Sequence, residues 1–224
     1  MDTLKLKTRA ILRMFFGIII MGAMFFWTAG TFRYWGAWLF LAVFFVPMTF
    51  GVIYLFRHDP ELLQRRMENR EERGQQRAFQ LLGTIAWIGT FLVPGLDRRY
   101  GWSEVPIWIV LVAAMVGLAG YSMLFWTMRE NRFAARTIRV EEGQTVVTTG
   151  PYAVVRHPMY LGAGLMMLSS PLILGSYWAL IAGLLFPLLL VIRILDEEKL
   201  LLEELPGYPE YTQQTRYRLI PRVW

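Results

Sequence analysis

A chain of 224 residues that is 55% hydrophobic and only 18% charged is too apolar for a soluble domain, which carries about 25% charged residues. Its formal charge of +6 does not point to nucleic acid, because the basic residues lie in loops between apolar runs rather than on one free patch. The absence of cysteine excludes disulfides, thiolate nucleophiles and thiolate metal sites, and two histidines are too few for a His-rich zinc site. A carboxylate-based metal site stays open, and none is assigned.

In chain order, apolar runs extend over Ile11–Ala29, Trp35–Phe56, Phe79–Leu96 and Val105–Met128. Each approaches the roughly 20 residues that cross a bilayer as helix. The basic start, Met1–Arg13, resembles a signal peptide, but the run behind it exceeds a signal core and Ala29-Gly30-Thr31 is a weak cleavage site, so it is kept as the first span. Between the second and third runs, Arg57–Arg77 mixes Arg with Glu at helical spacing and reads as a solvated interfacial helix; His58, beside Asp59-Pro60, reads as a surface histidine at a turn. The last run, Met159–Leu195, is interrupted at Ser169-Ser170-Pro171 and Gly175-Ser176, which predicts two helices in a tight hairpin. The expected fold is all-α and integral to the membrane, with about six hydrophobic helices in one domain, residues 1–224. Twenty of the 23 Lys and Arg residues fall on one side of this arrangement and three, Arg33, Arg98 and Arg99, on the other. The asymmetry puts both termini and the polar segments in the cytoplasm, provided that the closing hairpin crosses twice.

Two polar segments abut the last apolar run. The first reads Gly150-Pro151-Tyr152-Ala153-Val154-Val155-Arg156-His157-Pro158-Met159-Tyr160. Ahead of it, Gln144–Thr149 is rich in β-branched residues and predicts extended chain. Gly150-Pro151 turns the chain, and Pro158 suits the first position of a helix with His157 at or near its cap. Taken alone, Arg156 and His157 read as snorkelling interfacial residues, and Tyr152 and Tyr160 as aromatic anchors. Ionisable groups held against a span are nevertheless costly and point to function. The second segment, Arg193–Glu198, ends the last run with Arg193 and Glu197 one turn apart on one helix face, a spacing that equally suits a structural ion pair. Asp196 and Glu198 are expected to point elsewhere, into solvent.

The string Gly150-Pro151-Tyr152 with Arg156 through Gly162 resembles the signature of the isoprenylcysteine carboxyl methyltransferase family, which also includes phospholipid methyltransferases and small prokaryotic members. Arg193 with Glu197 resembles its second element, and Gly207, Tyr208, Tyr211 and Arg218-Leu219-Ile220-Pro221 its third. The resemblance covers roughly residues 135–224. It implies 1–128 as N-terminal transmembrane helices and 129–224 as a catalytic methyltransferase region whose cytoplasmic segments bind S-adenosylmethionine. Gln144, Thr145, Val146, Val147, Tyr152, His157, Pro158, Met159, Tyr160 and Glu197 would hold the cofactor, and Arg193 would face the acceptor. Gln144 stands where some eukaryotic members have His. The implied activity is methyl transfer to a lipophilic small molecule or lipidated substrate at the bilayer surface, carboxyl methylation of an isoprenylcysteine-like group first, with a phospholipid amine as the alternative. Two readings compete: an NADPH-dependent sterol-type reductase, which has more spans, and a membrane scaffold or transporter, which would show repeated halves with broken midplane helices.

Overall fold

The computed structural model describes residues 3–67, 76–134 and 143–224, and among them every regular element is helical. The helices are α1 (Thr3–Ala29), α2 (Trp35–His58), α3 (Pro60–Met67), α4 (Gln76–Tyr100), α5 (Ile107–Glu130), α6 (Pro158–Ile173), α7 (Trp178–Gly183), α8 (Leu185–Glu204) and α9 (Tyr208–Gln214). Four stretches among the described residues are long and apolar enough to cross a membrane: Leu4–Ala29, Trp35–His58, Ile107–Glu130 and Trp178–Glu204.

Lipid, not water, is the solvent that these surfaces suit. Phe15, Phe16, Ile20, Phe50, Leu111 and Leu188 are all at least half exposed, on helix faces with no polar alternation. Six of the nine tryptophans (Trp27, Trp35, Trp38, Trp102, Trp108 and Trp178) lie exposed at one end of the bundle. That is the aromatic belt of a membrane interface.

Inside, Phe25, Phe40 and Phe91 join α1, α2 and α4, with Phe25 and Phe40 edge to face at 5.2 Å. Below the belt, Asp97 is fully buried and accepts from the Ser103 amide (2.7 Å), the Ser103 hydroxyl (2.7 Å) and the Ser176 hydroxyl (2.5 Å), while the Tyr34 hydroxyl donates to the Leu174 carbonyl at 2.5 Å. These bonds tie α2, α4 and the α6–α7 turn together in a place where unpaired polar groups are costly.

Two expectations about this region change. Helix α6 runs through Ser169-Ser170-Pro171 to Ile173. Both serine hydroxyls bond back to the Met166 carbonyl within the helix, so neither is left unpaired. The break falls only after Ile173, where Gly175 takes φ +73° and the chain reverses. Of the Arg57–Arg77 segment, residues 68–75 lie outside the described residues, and helix α3 is not simply solvated: Leu62, Leu63 and Met67 are buried against Leu6 and Ala10 of α1, Leu55 of α2 and Met128 of α5. His58 is exposed, as expected, stacked on Tyr54.

Helices α5 and α6 meet backbone to backbone. A Cβ built at Gly120 would lie 2.7 Å from the Gly162 carbonyl oxygen, and one at Gly162 the same distance from the Gly120 carbonyl. Since α6 begins with the first polar segment, this contact sets its height in the bundle. Gly162→Ala should therefore destabilise the protein by about 1–3 kcal/mol through overpacking, whereas Gly164→Ala, which meets only the Leu190 side chain at 3.4 Å, should not. Thermal unfolding of the two variants in detergent checks this.

Candidate active site

The polar segments converge at the end of the bundle opposite the tryptophan belt. Gly150 has φ +57°, a conformation that favours glycine, where the chain turns under the end of α5 beside the Glu130 side chain. The Thr149 hydroxyl donates to Glu130 from the same turn. A single 3-10 turn, Gly150–Ala153, then delivers Tyr152, and Pro158 opens α6 with His157 as its N-cap residue. Gln144–Thr148 is irregular rather than strand, with Thr149 extended.

The C-terminal segment closes over this start. The Arg156 amide donates to the Tyr217 carbonyl and the His157 amide to the Arg218 carbonyl, each at 2.9 Å. One carboxylate organises the crossing. Glu198, expected in solvent, is only 5% exposed. Its Oε1 accepts from Arg156 Nε at 2.6 Å and lies 3.3 Å from His157 Nε2, while its Oε2 accepts from Arg218 Nε at 2.7 Å. Arg156 also donates through Nη1 to the Thr215 and Arg216 carbonyls. Sequence spacing gave no sign of this, since the partners lie 42, 41 and 20 residues away. Asp196 is exposed, as expected.

Between α5, α6, α8 and α9 these contacts leave a pocket of about 90 Å³ that is open to solvent on one side. Gln144, Thr145, Val146, Val147, Tyr152, His157, Pro158, Met159, Tyr160 and Glu197 all line it. Asn131, Arg156, Leu201, Leu205, Tyr208 and Tyr211 line it as well, without having been assigned to it from sequence. The two tyrosines stand in the tail motif, which was the available signal. Leu205, Tyr208 and Tyr211 pack with Val146, Tyr152 and Leu201 into an apolar and aromatic wall.

Polar groups punctuate that wall. Tyr160 donates to Glu197 Oε2 at 2.5 Å and accepts from Arg193 Nε at 3.0 Å. Arg193 thus stands behind Tyr160 rather than on the pocket surface, which it does not line. The Tyr152 hydroxyl accepts from Asn131 Nδ2 at 2.9 Å, and its carbonyl from the Tyr211 hydroxyl at 2.7 Å. Burial pushes the phenols of Tyr152 and Tyr208 well above their usual range and that of Tyr211 up to about 12, so all three are neutral near pH 7. Among the described residues, the Tyr208 hydroxyl is buried without a hydrogen-bond partner. No cluster of three or more metal-ligating side chains occurs among the described residues.

Removing one member of a buried charge cluster leaves the others uncompensated, typically at a cost of about 3–5 kcal/mol. Glu198→Ala should destabilise the folded protein by about that much, and Asp196→Ala by less than about 0.5 kcal/mol, as for other exposed sites. Denaturant titration of both variants in detergent measures the difference.

Residues 107–207 match the family model for phospholipid methyltransferases. Among curated proteins, the chain is 28% identical over 133 residues to the nickel-cobalt-cadmium resistance protein NccN of Alcaligenes xylosoxydans xylosoxydans, a match covering 57% of this chain. The chain spans 58% of that relative's length. Among solved structures, it is similar to a eukaryotic intramembrane Ras methyltransferase, isoprenylcysteine carboxyl methyltransferase, with TM-score 0.52 and 15% identity, over 99% of this chain and 86% of the other. Residues 107–207 are therefore similar to phospholipid methyltransferases, and the chain as a whole shares the fold of the isoprenylcysteine carboxyl methyltransferase.

Proposed function

We propose that the protein transfers a methyl group from S-adenosylmethionine to a lipophilic acceptor at the cytoplasmic membrane surface. The observation that carries this reading is the pocket itself: the ten residues that the family resemblance assigns to the cofactor line one cavity, and a buried Tyr208 hydroxyl without a partner among the described residues lies in its wall. A buried hydroxyl left unpaired is costly unless a ligand completes it. The residues present thus fit the cofactor. Its sulfonium supplies an electrophilic methyl group.

The apolar wall of Val146, Leu201 and Leu205 offers a bed for a flat ring, with Tyr208 as a neutral donor. Glu197, oriented by Tyr160, is the pocket carboxylate suited to an ammonium or to hydroxyl groups. Arg193 holds Tyr160 from behind and so acts on the acceptor side through it. The Arg156–Glu198–Arg218 cluster keeps the pocket walls in register. Catalysis by positioning suits an in-line displacement, for which alignment alone supplies much of the acceleration. A carboxylate acceptor is favoured because it is a nucleophile already at neutral pH. An amine would first need a base to take its proton.

Calorimetry with S-adenosylmethionine in detergent tests the reading directly, and a parallel titration with NADPH tests the reductase alternative. Glu197→Gln and Tyr208→Phe should each weaken binding of S-adenosylmethionine. For Glu197→Gln the loss should be about 1.5–3 kcal/mol, roughly ten- to hundredfold. Unchanged affinity in folded protein would remove these residues from the site. Orientation is open to a second measurement, because the chain has no cysteine of its own. Single cysteines at Arg98 and Arg216 should be labelled from opposite faces of sealed vesicles, with 216 on the cytoplasmic face.

A further inference from the structure

Helix α6 is short for a membrane. Its 16 residues rise about 24 Å, against a hydrocarbon core of roughly 30 Å. One end is held at the level of the tryptophan belt by the turn at Gly175, just before Trp178. Its polar start therefore falls short of the opposite headgroups, and the C-terminal segment covers it there. The carbonyls of Tyr217 and Arg218 accept the Arg156 and His157 amides. Beyond them the chain closes into a hook. The Leu219 and Ile220 amides donate to the Trp224 carbonyl at 3.0 and 3.2 Å, and the Trp224 amide donates back to the Ile220 carbonyl at 3.0 Å. Arg222 makes the turn at φ +66°, the one positive φ outside glycine among the described residues.

The hook sits at membrane depth. Leu219 and Trp224 pack on Tyr160 of α6 and on Leu190 and Ile194 of α8. Within the apolar span Trp178–Glu204, Leu190 and Ile194 lie about 18 and 24 Å along the axis from Trp178, short of the far edge of a core of roughly 30 Å. Outward, the hook shows Ile220 and Val223, which are 46% and 76% exposed. Lipid suits such tips and water does not. Arg216 and Arg222 are exposed beside them, and no acidic side chain falls between Tyr211 and Trp224. Arg218, by contrast, is engaged with Glu198 and with the Trp224 ring. Apolar tips flanked by outward guanidiniums match the boundary of a leaflet that carries anionic headgroups.

We propose that residues 216–224 are a lipid-seated latch: Ile220 and Val223 enter the leaflet at the pocket end of the bundle, and Arg216 and Arg222 bind the phosphates of anionic phospholipids. The same segment gives its carbonyls to the Arg156 and His157 amides and its Arg218 side chain to Glu198. A lipid that holds the hook down therefore also holds the tail on the start of α6, because a ligand stabilises the state that binds it. The charge of the membrane surface thereby sets how often the tail lifts. The latch does not depend on what the pocket binds or on the methyl-transfer reading.

The test uses the full chain in nanodiscs of phosphatidylcholine and of an equal mixture of phosphatidylcholine and phosphatidylglycerol. A fluorophore on Val223→Cys, in a chain with no cysteine of its own, should be quenched by nitroxide-labelled lipid and little by iodide in the water. Hydrogen exchange at the Arg156 and His157 amides reads the lifting of the tail. Both amides should exchange more slowly in the mixed nanodiscs, by about fivefold for each of the two exposed arginines. Arg222→Gly suits the turn at φ +66° and removes the charge, so it should lose about fivefold of that protection in mixed nanodiscs alone. Arg216→Gln should do the same. If either variant does not fold, the wild-type chain decides, since about 1 M salt should erase the difference between the two nanodiscs. Equal exchange in both nanodiscs would overturn the proposal, and so would quenching at 223 by iodide rather than by lipid. Slowing spread evenly over all the helices would mean a general bilayer effect and overturn it too. Inorganic phosphate that protected the same amides in phosphatidylcholine nanodiscs would mark a site for a free anion and overturn the assignment to lipid.

Discussion

A carboxylate held away from water at the edge of a membrane protein must be surrounded by donors, and the site is built around that requirement at Glu198. Two guanidiniums, from Arg156 and Arg218, approach its separate oxygens, and the His157 ring sits against one of them. These partners come from the start of α6 and from the C-terminal tail, so the carboxylate on α8 joins three parts of the chain that are remote in sequence. Once Arg156 is fixed, its remaining donors reach the Thr215 and Arg216 carbonyls, and the adjacent amides bond to the tail. The tail then brings Tyr208 and Tyr211 over the pocket. Tyr211 in turn holds the Tyr152 carbonyl. The pocket wall thus follows from a charge that has to be neutralised.

The opposite end shows the same logic with less charge. There Asp97 is buried among serine hydroxyls and an amide, with none of the guanidiniums that surround Glu198. It fixes the turn between α6 and α7. Helix α6 is therefore pinned at both ends, and Gly120 and Gly162 let it lie directly on α5 between them. A helix restrained in this way carries His157 through Tyr160 as a rigid edge of the pocket. Catalysis by alignment needs such an edge, since misplacement of about 1 Å can cost a hundredfold in rate.

Much of this was legible in the amino-acid sequence, for physical reasons that also explain what was not. Long apolar runs have few alternatives to spanning a bilayer, so the existence of the helices was readable, and Gly-Pro followed by His-Pro marked the turn and the helix start. Glu198 was not readable. Its partners are remote in sequence, and a Glu in the run Asp196-Glu197-Glu198 looks like solvated charge until the tail folds back over it. Helix α3 misled in the same way: its Arg and Glu density masks Leu62, Leu63 and Met67, which bury themselves only because α1, α2 and α5 supply a surface. Pro171 looked like a helix end because local rules count its missing N–H but not the close packing of α6 on α5, which accompanies a helix that continues to Ile173.

Two arginines flank the pocket on opposite sides, and they differ in what lies behind them. Arg193 backs onto Tyr160, and through Tyr160 onto Glu197, so its positive charge is already engaged with the polar rim. Arg66 donates to the Ala134 carbonyl and lines an apolar cavity of about 290 Å³ between α1, α2, α3 and α5. Under the proposed methyl transfer, a water-soluble cofactor and a lipid-soluble acceptor have to meet at one point without mixing their solvents. Tail, α9 and the polar segments close the pocket on one flank, while the apolar cavity lies on the other, toward α3. Met159 sits where the two meet, a flexible thioether that lines the pocket on one face and touches Arg66 on the other. A bulky, rigid residue there would wall the two compartments off from each other, and a charged one would let water through. An unbranched apolar side chain keeps the partition thin and dry.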